Sequence, residues 1–236
     1  MINFFELWVA FKYLFPKTRD RFFSLITLFS FLGISLGVAT LIIVMSVMNG
    51  FRDELTSKIL GINGHLKIES VFSNKIENFN LIKKKLSNEI QNININEVLI
   101  SQGLLSYKGY SSGVLTKGVN PEIFVQRKIF KGKILDNHLQ KFTLNEGVFI
   151  GEKLKNKLKI KEGDYLSFLS SDGYETILGN IPRQGSFKVV GFFNTGMYEY
   201  DTSLVLFPIN LLQRFLGYDN KVNFLEVELE NFKRYD

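Results

Sequence analysis

The feature that most constrains this chain is an apolar stretch, residues 22–48, which contains no charged residue and no proline. At about 1.5 Å per residue, a helix over this stretch is about 40 Å long, against a hydrocarbon core of roughly 30 Å. A core helix of that length normally shows a polar face, whereas the polar atoms here are hydroxyls that can bond back to helix carbonyls. The stretch therefore predicts a transmembrane helix.

The flanks of the apolar stretch predict its orientation. Residues 1–21 contain more Lys and Arg than Asp and Glu. Because Lys and Arg are retained on the cytoplasmic side, we expect the N-terminus inside and the residues after about 49 outside. A cleaved signal peptide would have a shorter apolar region and a small-residue cleavage site, and the exit at residues 47–52 offers none. We therefore expect an uncleaved anchor.

The membrane region carries two further patterns. Across residues 3–15 apolar side chains recur at helical spacing, which predicts an interfacial amphipathic helix on the cytoplasmic leaflet that ends at Pro16. Inside the apolar stretch, Gly33 and Gly37 form a G-x-x-x-G pair, which would let another helix approach closely. The alternative for this pair is a face that contacts lipid.

An apolar stripe continues beyond the membrane exit at helical spacing. Its residues are Val44, Met48, Phe51, Leu55, Ile59 and Ile62. Charged residues occupy the other side, so we expect the helix to reach about Leu60 and to end at Gly61 and Gly64. A stripe of this kind above the bilayer needs cover. It either packs on the external domain of the chain or lines a pocket open to lipid.

Residues 61–236 predict an α+β domain of short strands and helices. Strand-like runs cover residues 95–107, 114–119, 187–193 and 203–207, and helices are expected after Asn78, from Pro121 and from Pro208. Near the end of the chain, Leu and Val alternate with Glu226 and Glu228, which predicts a half-buried strand with outward glutamates.

Residues 171–186 read as a glycine-containing loop with an unusual tip. Ile181, Pro182 and Arg183 lie together there. An apolar residue in an exposed loop that proline stiffens suggests a docking element. An ordinary hairpin is the alternative.

Two segments have the glycine spacing of catalytic or phosphate-binding motifs without the required context. Residues 109–113 match G-x-S-x-G, but strand-like runs lie on both sides, so a glycine hairpin explains them better than a nucleophile elbow. Residues 113–118 have the glycine spacing of a phosphate-binding loop, yet Val119 and Asn120 follow where Lys and Ser or Thr are required. With two histidines and no cysteine, a structural zinc site is not expected. We expect no catalysis, cofactor or metal.

The net charge of +6 and the pI of about 9.3 are compatible with nucleic acid, but the predicted span would place most lysines across a membrane. Anionic lipid or an acidic partner is therefore the expected use of this charge, and no nucleic-acid partner is expected.

Several segments resemble the N-terminal portion of lipoprotein-releasing ABC transporter permeases of the Lol type. They are residues 5–14, the exit SVMNGFRDEL at 46–55, residues 59–61, 147–151 with 163–164, the loop 178–182, and residues 196–201. The exit is the most specific of these segments. The strand–helix–Gly-Asp turn is also shared with macrolide-efflux-type permeases.

The resemblance implies a membrane protein in which one transmembrane helix extends into a periplasmic α+β domain. That domain would be porter-like with an inserted, smaller β-rich subdomain at about 120–205. The implied divisions are a cytoplasmic helix at 1–21, a transmembrane helix with a periplasmic extension at 22–60, and the periplasmic domain at 61–236. The family has four spans, so three further spans are expected beyond this sequence.

The resemblance also implies partners and a location. A second permease subunit, forming a homodimer or heterodimer, and cytoplasmic ATPase subunits would complete an inner-membrane complex. This complex would lift triacylated lipoproteins from the bacterial inner membrane to a periplasmic carrier, and ATP hydrolysis would occur in the separate subunit. The runner-up is an efflux-type or cell-division-type permease that transmits motion to periplasmic partners. A third reading is a single-span anchored binding domain.

Two sets of site residues follow from the resemblance. The expected lipoprotein and acyl-chain contacts are Val44, Met48, Phe51, Leu55 and Ile59. The hook that would hold the carrier comprises Gly179, Asn180, Ile181, Pro182 and Arg183.

Overall fold

The computed structural model describes residues 4–14, 21–127, 129–130, 134–176 and 179–229. These residues divide into two compact units, residues 1–56 and residues 57–236. The second unit contains all the strands described below. The proposed inserted subdomain at about 120–205 stays a prediction.

Two helices begin the chain. Helix α1 spans Phe4–Leu14 and helix α2 spans Arg21–Ile62, a single helix of 42 residues. Within the described residues, Leu25–Ile62 is the one helical stretch long and apolar enough to cross a membrane. The prediction that the helix continues past the apolar stretch is confirmed, because α2 extends beyond residue 48 to Ile62. This end lies two residues beyond the predicted Leu60.

Within the described residues, eight strands and six further helices follow. The strands are β1 Leu66–Glu69, β2 Ile93–Tyr107, β3 Tyr110–Val119, β4 Val148–Gly151, β5 Tyr165–Thr176, β6 Gly179–Phe193, β7 Leu204–Pro208 and β8 Phe224–Leu229. The helices are α3 Phe79–Glu89, α4 Pro121–Gln126, α5 Asp136–Thr143, α6 Glu152–Leu158, α7 Tyr198–Ser203 and α8 Ile209–Leu216.

The long strand β2 belongs to two sheets. Its first half, Ile93 to Val98, pairs with β8, and β8 pairs with β1, which gives a three-stranded antiparallel sheet. Its second half pairs with β3 on one side and with β5 on the other. Pairings β3–β7, β7–β4, β4–β6 and β6–β5 then close a six-stranded ring. Strand β2 therefore connects the open sheet to a closed barrel.

A glycine allows the barrel to close on β2. Gly103 is paired with Val114 of β3 and with Ser170 of β5. A Cβ atom at Gly103 would lie 2.1 Å from the carbonyl oxygen of Leu169, a distance that real side chains do not reach. Strand β5 can therefore approach β2 at this position because the residue has no side chain.

The segment with the G-x-S-x-G spacing begins in a hairpin turn, but the turn is shorter than predicted, and residues 110–113 belong to strand β3. Tyr107 pairs with Tyr110, so Lys108 and Gly109 form a two-residue loop. Both have positive φ values, 46° and 85°. Positive φ at both positions is the geometry of the tight turns whose twist matches that of antiparallel strands.

Two expectations about the second unit are wrong. Residues 171–176 and 179–186 belong to strands β5 and β6, so the expected loop is the outer part of a long hairpin. Strand β8 is buried on both faces from Phe224 to Val227, and Glu226 is only 3% exposed. The alternating pattern failed there because a basic pair, described below, covers the face that would otherwise meet water.

Candidate functional site

The first candidate site is the apolar stripe of α2, formed by Val44, Met48, Phe51, Leu55 and Ile59. The structure places all five on one helix at spacings of three or four residues, so they share a face. Leu55 is partly buried, and the other four are between 41% and 58% exposed. An apolar surface that remains exposed along a helix marks a site for lipid or for another protein.

The small residues of α2 also leave their surface open. Apart from the two chain neighbours and the helix's own nearby backbone, no atom of the described residues lies within 4 Å of the position that a Cβ would take at Gly33 or Gly37. A second helix could therefore approach the backbone closely at these two positions. The packing role of the pair stays a prediction.

The C-terminal end of α2 is held by a buried ionic cluster, which we call the helix-end clamp: Lys117, Arg127 and Glu226 around the carbonyl of Ile62. Lys117 Nζ donates to Ile62 O at 3.1 Å and to Glu226 Oε1 at 2.6 Å. Arg127 Nη2 donates to Glu226 Oε2 at 2.6 Å, and its Nη1 donates to the same Ile62 carbonyl. The three charged side chains are at most 5% exposed.

The clamp joins elements that are distant in sequence. Lys117 lies on β3 of the barrel, Glu226 lies on β8 of the open sheet, and Arg127 follows α4. Cations are favourable at a helix C-terminus because the last carbonyls carry partial negative charge. The last turn of α2 is therefore fixed to both sheets of the second unit.

Close backbone packing reinforces the clamp. A Cβ at Gly64 would lie 2.9 Å from Glu226 Cβ and 3.0 Å from the Val227 carbonyl oxygen. The next residue, His65, donates its backbone N–H to that same carbonyl at 2.9 Å. Asn63 adds a hydrogen bond from Nδ2 to the Tyr200 hydroxyl at 2.9 Å. The chain passes from α2 into β1 with little room for a side chain at Gly64.

Burial and charge act in opposite directions within the clamp. Burial by itself would raise the pKa of Glu226, but Lys117 and Arg127 outweigh it, so the pKa lies below its ordinary value of 4.5. Burial lowers the pKa of Lys117, and Arg127 lowers it further, while Glu226 opposes both. The clamp therefore depends on an ionised Glu226.

The sequence reasoning did not find the clamp. Two signals were present in the sequence: Lys117 interrupts a strand-like run, and Glu226 lies between the apolar residues Leu225 and Val227. Either residue could equally have faced solvent. Only the tertiary structure, which brings β3 and β8 to the end of α2, shows that these charges meet.

The second candidate site is the outer part of the β5–β6 hairpin. Ser170 pairs with Arg183, and Tyr174 pairs with Ile181, so β5 carries two more residues than β6 between these pairs (170 to 174 against 183 to 181). The irregularity faces Pro182, which has no N–H to donate to the ladder. The segment is therefore a hairpin with an interruption at the proline, and its docking role stays a prediction.

The predicted hook residues differ in their surroundings. Gly179 begins β6 with a φ of 115°, which favours glycine, and Ile181 is 55% exposed. The side chain of Asn180 lies outside the described part of the structure. Pro182 is exposed, whereas Arg183 is partly buried and turned towards helix α8. The structure thus brings the hook residues together on one strand but gives Arg183 a separate environment.

The two candidate sites contain no arrangement suited to a metal ion. Among the residues that the structure describes, no group of three or more His, Cys, Asp or Glu side chains could hold one.

One family model matches most of the chain. Residues 27–235 match the family model of the MacB-like periplasmic core domain. The solved periplasmic region of MacB from Actinobacillus actinomycetemcomitans is similar with a TM-score of 0.46 and 12% identity, over 73% of this chain and 78% of that one.

Curated relatives carry the name of the family that the sequence resembles. The lipoprotein-releasing system transmembrane protein LolC of Neisseria meningitidis is 31% identical over 95% of this chain and 54% of its own length. LolE of Haemophilus influenzae is 26% identical over 94% of this chain and 54% of its own length. The chain therefore spans about half the length of these relatives. The resemblance to Lol-type permeases is confirmed, and the chain belongs to the family with a MacB-like periplasmic core domain.

Proposed function

We propose that this chain is a permease subunit of an ATP-driven complex that extracts lipoproteins from the bacterial inner membrane and passes them to a periplasmic carrier. A cytoplasmic ATPase and a second permease subunit complete the complex, and this chain is non-catalytic. Its N-terminus is cytoplasmic, and residues after about 49 are periplasmic. The divisions at 1–21, 22–60 and 61–236 belong to the same proposal. Support comes from the names of its relatives and from the long apolar helix α2.

The observation that carries the proposal is the apolar stripe on α2. An acyl chain that leaves a bilayer loses about 0.8 kcal/mol per methylene group, so its path needs an apolar lining. Met48 and Phe51 are each 58% exposed, and Ile59, further along the same helix, is 41% exposed. These side chains extend the apolar surface of α2 towards its C-terminal end, as an acyl-lined path requires.

The stripe is tested by placing a charge on it. Met48→Asp and Phe51→Asp should abolish lipoprotein release from reconstituted complexes, because each would put a carboxylate in an acyl-lined cavity. ATPase assembly should be retained. Ser57→Asp is the matched control, since residue 57 lies on the side of α2 opposite Leu55 and Ile59. Normal release by Met48→Asp and Phe51→Asp would remove the acyl-path assignment.

The hairpin supplies the proposed hook for the carrier. Ile181 offers an exposed apolar side chain beside a proline, the combination expected of an interface anchor with little conformational freedom to lose. Ile181→Asp and Pro182→Gly should weaken capture of the periplasmic carrier in a pull-down. Tyr165→Asp, which alters an exposed residue at the other end of β5, should not. Undiminished capture by both tip variants would reduce the segment to a hairpin without this role.

The helix-end clamp favours a second candidate function. A permease of the efflux or cell-division type transmits motion to periplasmic partners, and a helix fixed to two sheets could serve that task as well. The two functions differ at the apolar stripe. A mechanical permease should tolerate Phe51→Asp, whereas a lipoprotein-releasing permease should not.

A further inference from the structure

We infer that Arg183 is a positioning residue, which sets the direction of the β5–β6 hairpin tip by tying it to the C-terminal end of helix α8. The hairpin tip is defined as residues 174–176 and 179–183. The importance of this role for carrier capture rests on the proposed function. The tie itself does not, because it can be measured without a carrier.

The guanidinium of Arg183 occupies the end of α8. Its Nη1 donates to the carbonyl of Phe215 at 3.2 Å, in the last turn of the helix. Gly217, which ends α8 with a φ of 64°, lies so close that an added Cβ would be 2.7 Å from Arg183 Nη2. A cation is favourable beside the unpaired carbonyls of a helix C-terminus.

The same guanidinium contacts the hairpin tip. It lies 3.6 Å from the centroid of the Tyr174 ring. Tyr174 is the cross-strand partner of Ile181, the exposed residue of the proposed hook. One side chain therefore bridges the end of α8 and the residue that faces Ile181, through a hydrogen bond on one side and a cation–π contact on the other.

The hairpin needs such a tie because its backbone ladder is interrupted. The regular β5–β6 pairing shifts between Ser170 and Tyr174, opposite Pro182. Strands that lose register at a bulge can bend there, so the ladder below the bulge does not set the direction of the tip. A side-chain contact that crosses the bulge can do so: Arg183, which pairs with Ser170 on the regular side, reaches Tyr174 beyond the bulge.

The end of α8, to which Arg183 binds, is itself held in place by aromatic packing on the barrel. Phe215 packs against Phe187 of β6 and Phe168 of β5, with ring centroids 5.1 and 5.7 Å apart. A Cβ at Gly185 would lie 2.8 Å from the Phe215 ring, so β6 passes directly under it. The end of α8 is thus packed on the barrel, and Arg183 connects the hairpin tip to it.

The experiment measures the order of the tip and carrier capture separately, in the assembled complex. Amide hydrogen exchange is followed in peptides that cover residues 174–181, and capture is followed by pull-down. Arg183→Met should speed exchange there by about tenfold and weaken capture, because both contacts are lost. Arg183→Lys should restore little, since an ammonium lacks the planar group that stacks and donates at once.

Two control variants separate positioning from contact. Ile181→Asp should weaken capture while exchange stays unchanged. Arg214→Met removes an exposed cation from the neighbouring residue of α8 and should change neither measurement. Tyr174→Leu should reproduce the faster exchange of Arg183→Met, and combining the two should add little.

The outcomes are distinct. Unchanged exchange in Arg183→Met would overturn the positioning role, and if capture were nevertheless lost, Arg183 would be a direct contact. If exchange became faster in Arg183→Met while neither Arg183→Met nor Ile181→Asp weakened capture, the tie would be supported and the carrier hook refuted.

Discussion

Replacing Glu226 by leucine should destabilise the second unit strongly. Glu226 is the one carboxylate of the helix-end clamp and is paired at 2.6 Å with both Lys117 and Arg127. Its loss leaves two cationic side chains that are buried, each at most 5% exposed. The remaining carboxylate partner of Arg127 is then the partly exposed Glu228, 3.9 Å from Arg127 Nε. Breaking a buried pair by removing one partner costs about 3–5 kcal/mol, which is a large share of the roughly 5–15 kcal/mol that stabilises a domain.

The assay is amide hydrogen exchange in strand β8, measured on the chain in a mild detergent. A loss of about 3–5 kcal/mol corresponds to exchange about 10²- to 10⁴-fold faster when exchange requires unfolding of the unit. Lys221→Met is the comparison, because it breaks the Lys221–Glu77 pair on the surface, also 2.6 Å long, and should change exchange little.

A triple variant tests the physical reason. Combining Glu226→Leu with Lys117→Met and Arg127→Met removes every unpaired charge, so most of the stability should return. The remaining loss should be about 1–3 kcal/mol, because the buried carbonyl of Ile62 no longer has its donors. The reasoning would be refuted if Glu226→Leu behaved like Lys221→Met, or if the triple variant were less stable than the single one.

Three further predictions concern pH and glycines. The folded chain holds the pKa of Glu226 below 4.5, so the unfolded chain binds this proton first, and stability measured by urea unfolding should fall as the pH drops from about 4.5 through the folded value. Gly64→Ala should cost about 1–3 kcal/mol by the same exchange assay, because its Cβ meets Glu226, whereas Gly50→Ala, with no atom within 4 Å, should cost nothing. Gly33→Ile with Gly37→Ile should leave the second unit intact but reduce copurification of the second permease subunit, and unchanged copurification would assign this face to lipid.

Local signals predicted most of the elements. The Pro208 start and Gly217 end of α8, the Asn120 cap of α4 and the tight turn at Lys108 and Gly109 were all readable in the sequence. In each case the deciding interaction joins residues within one turn of each other. Helices α5 and α7 were not predicted, because at eight and six residues each is too short to be stable without tertiary packing.

The candidate sites divide in the same way. The shared face of the stripe residues of α2 could be predicted because helical spacing places them on one side of the helix. The direction of the Arg183 side chain could not be predicted, because its two partners lie elsewhere in the chain. Tyr174 lies on strand β5, and Phe215 lies on helix α8. No periodicity within residues 179–183 indicates which side chain turns towards α8.

The sequence by itself determined that this chain has a long apolar helix, that the helix continues past its apolar stretch, and that an α+β domain follows. Those properties depend on composition and on spacings of a few residues. The tertiary structure alone decided that β2 serves two sheets and that Lys117, Arg127 and Glu226 meet at the last carbonyl of α2. Charged residues are placed by which strands become neighbours, and that pairing is set by the packing of the whole domain.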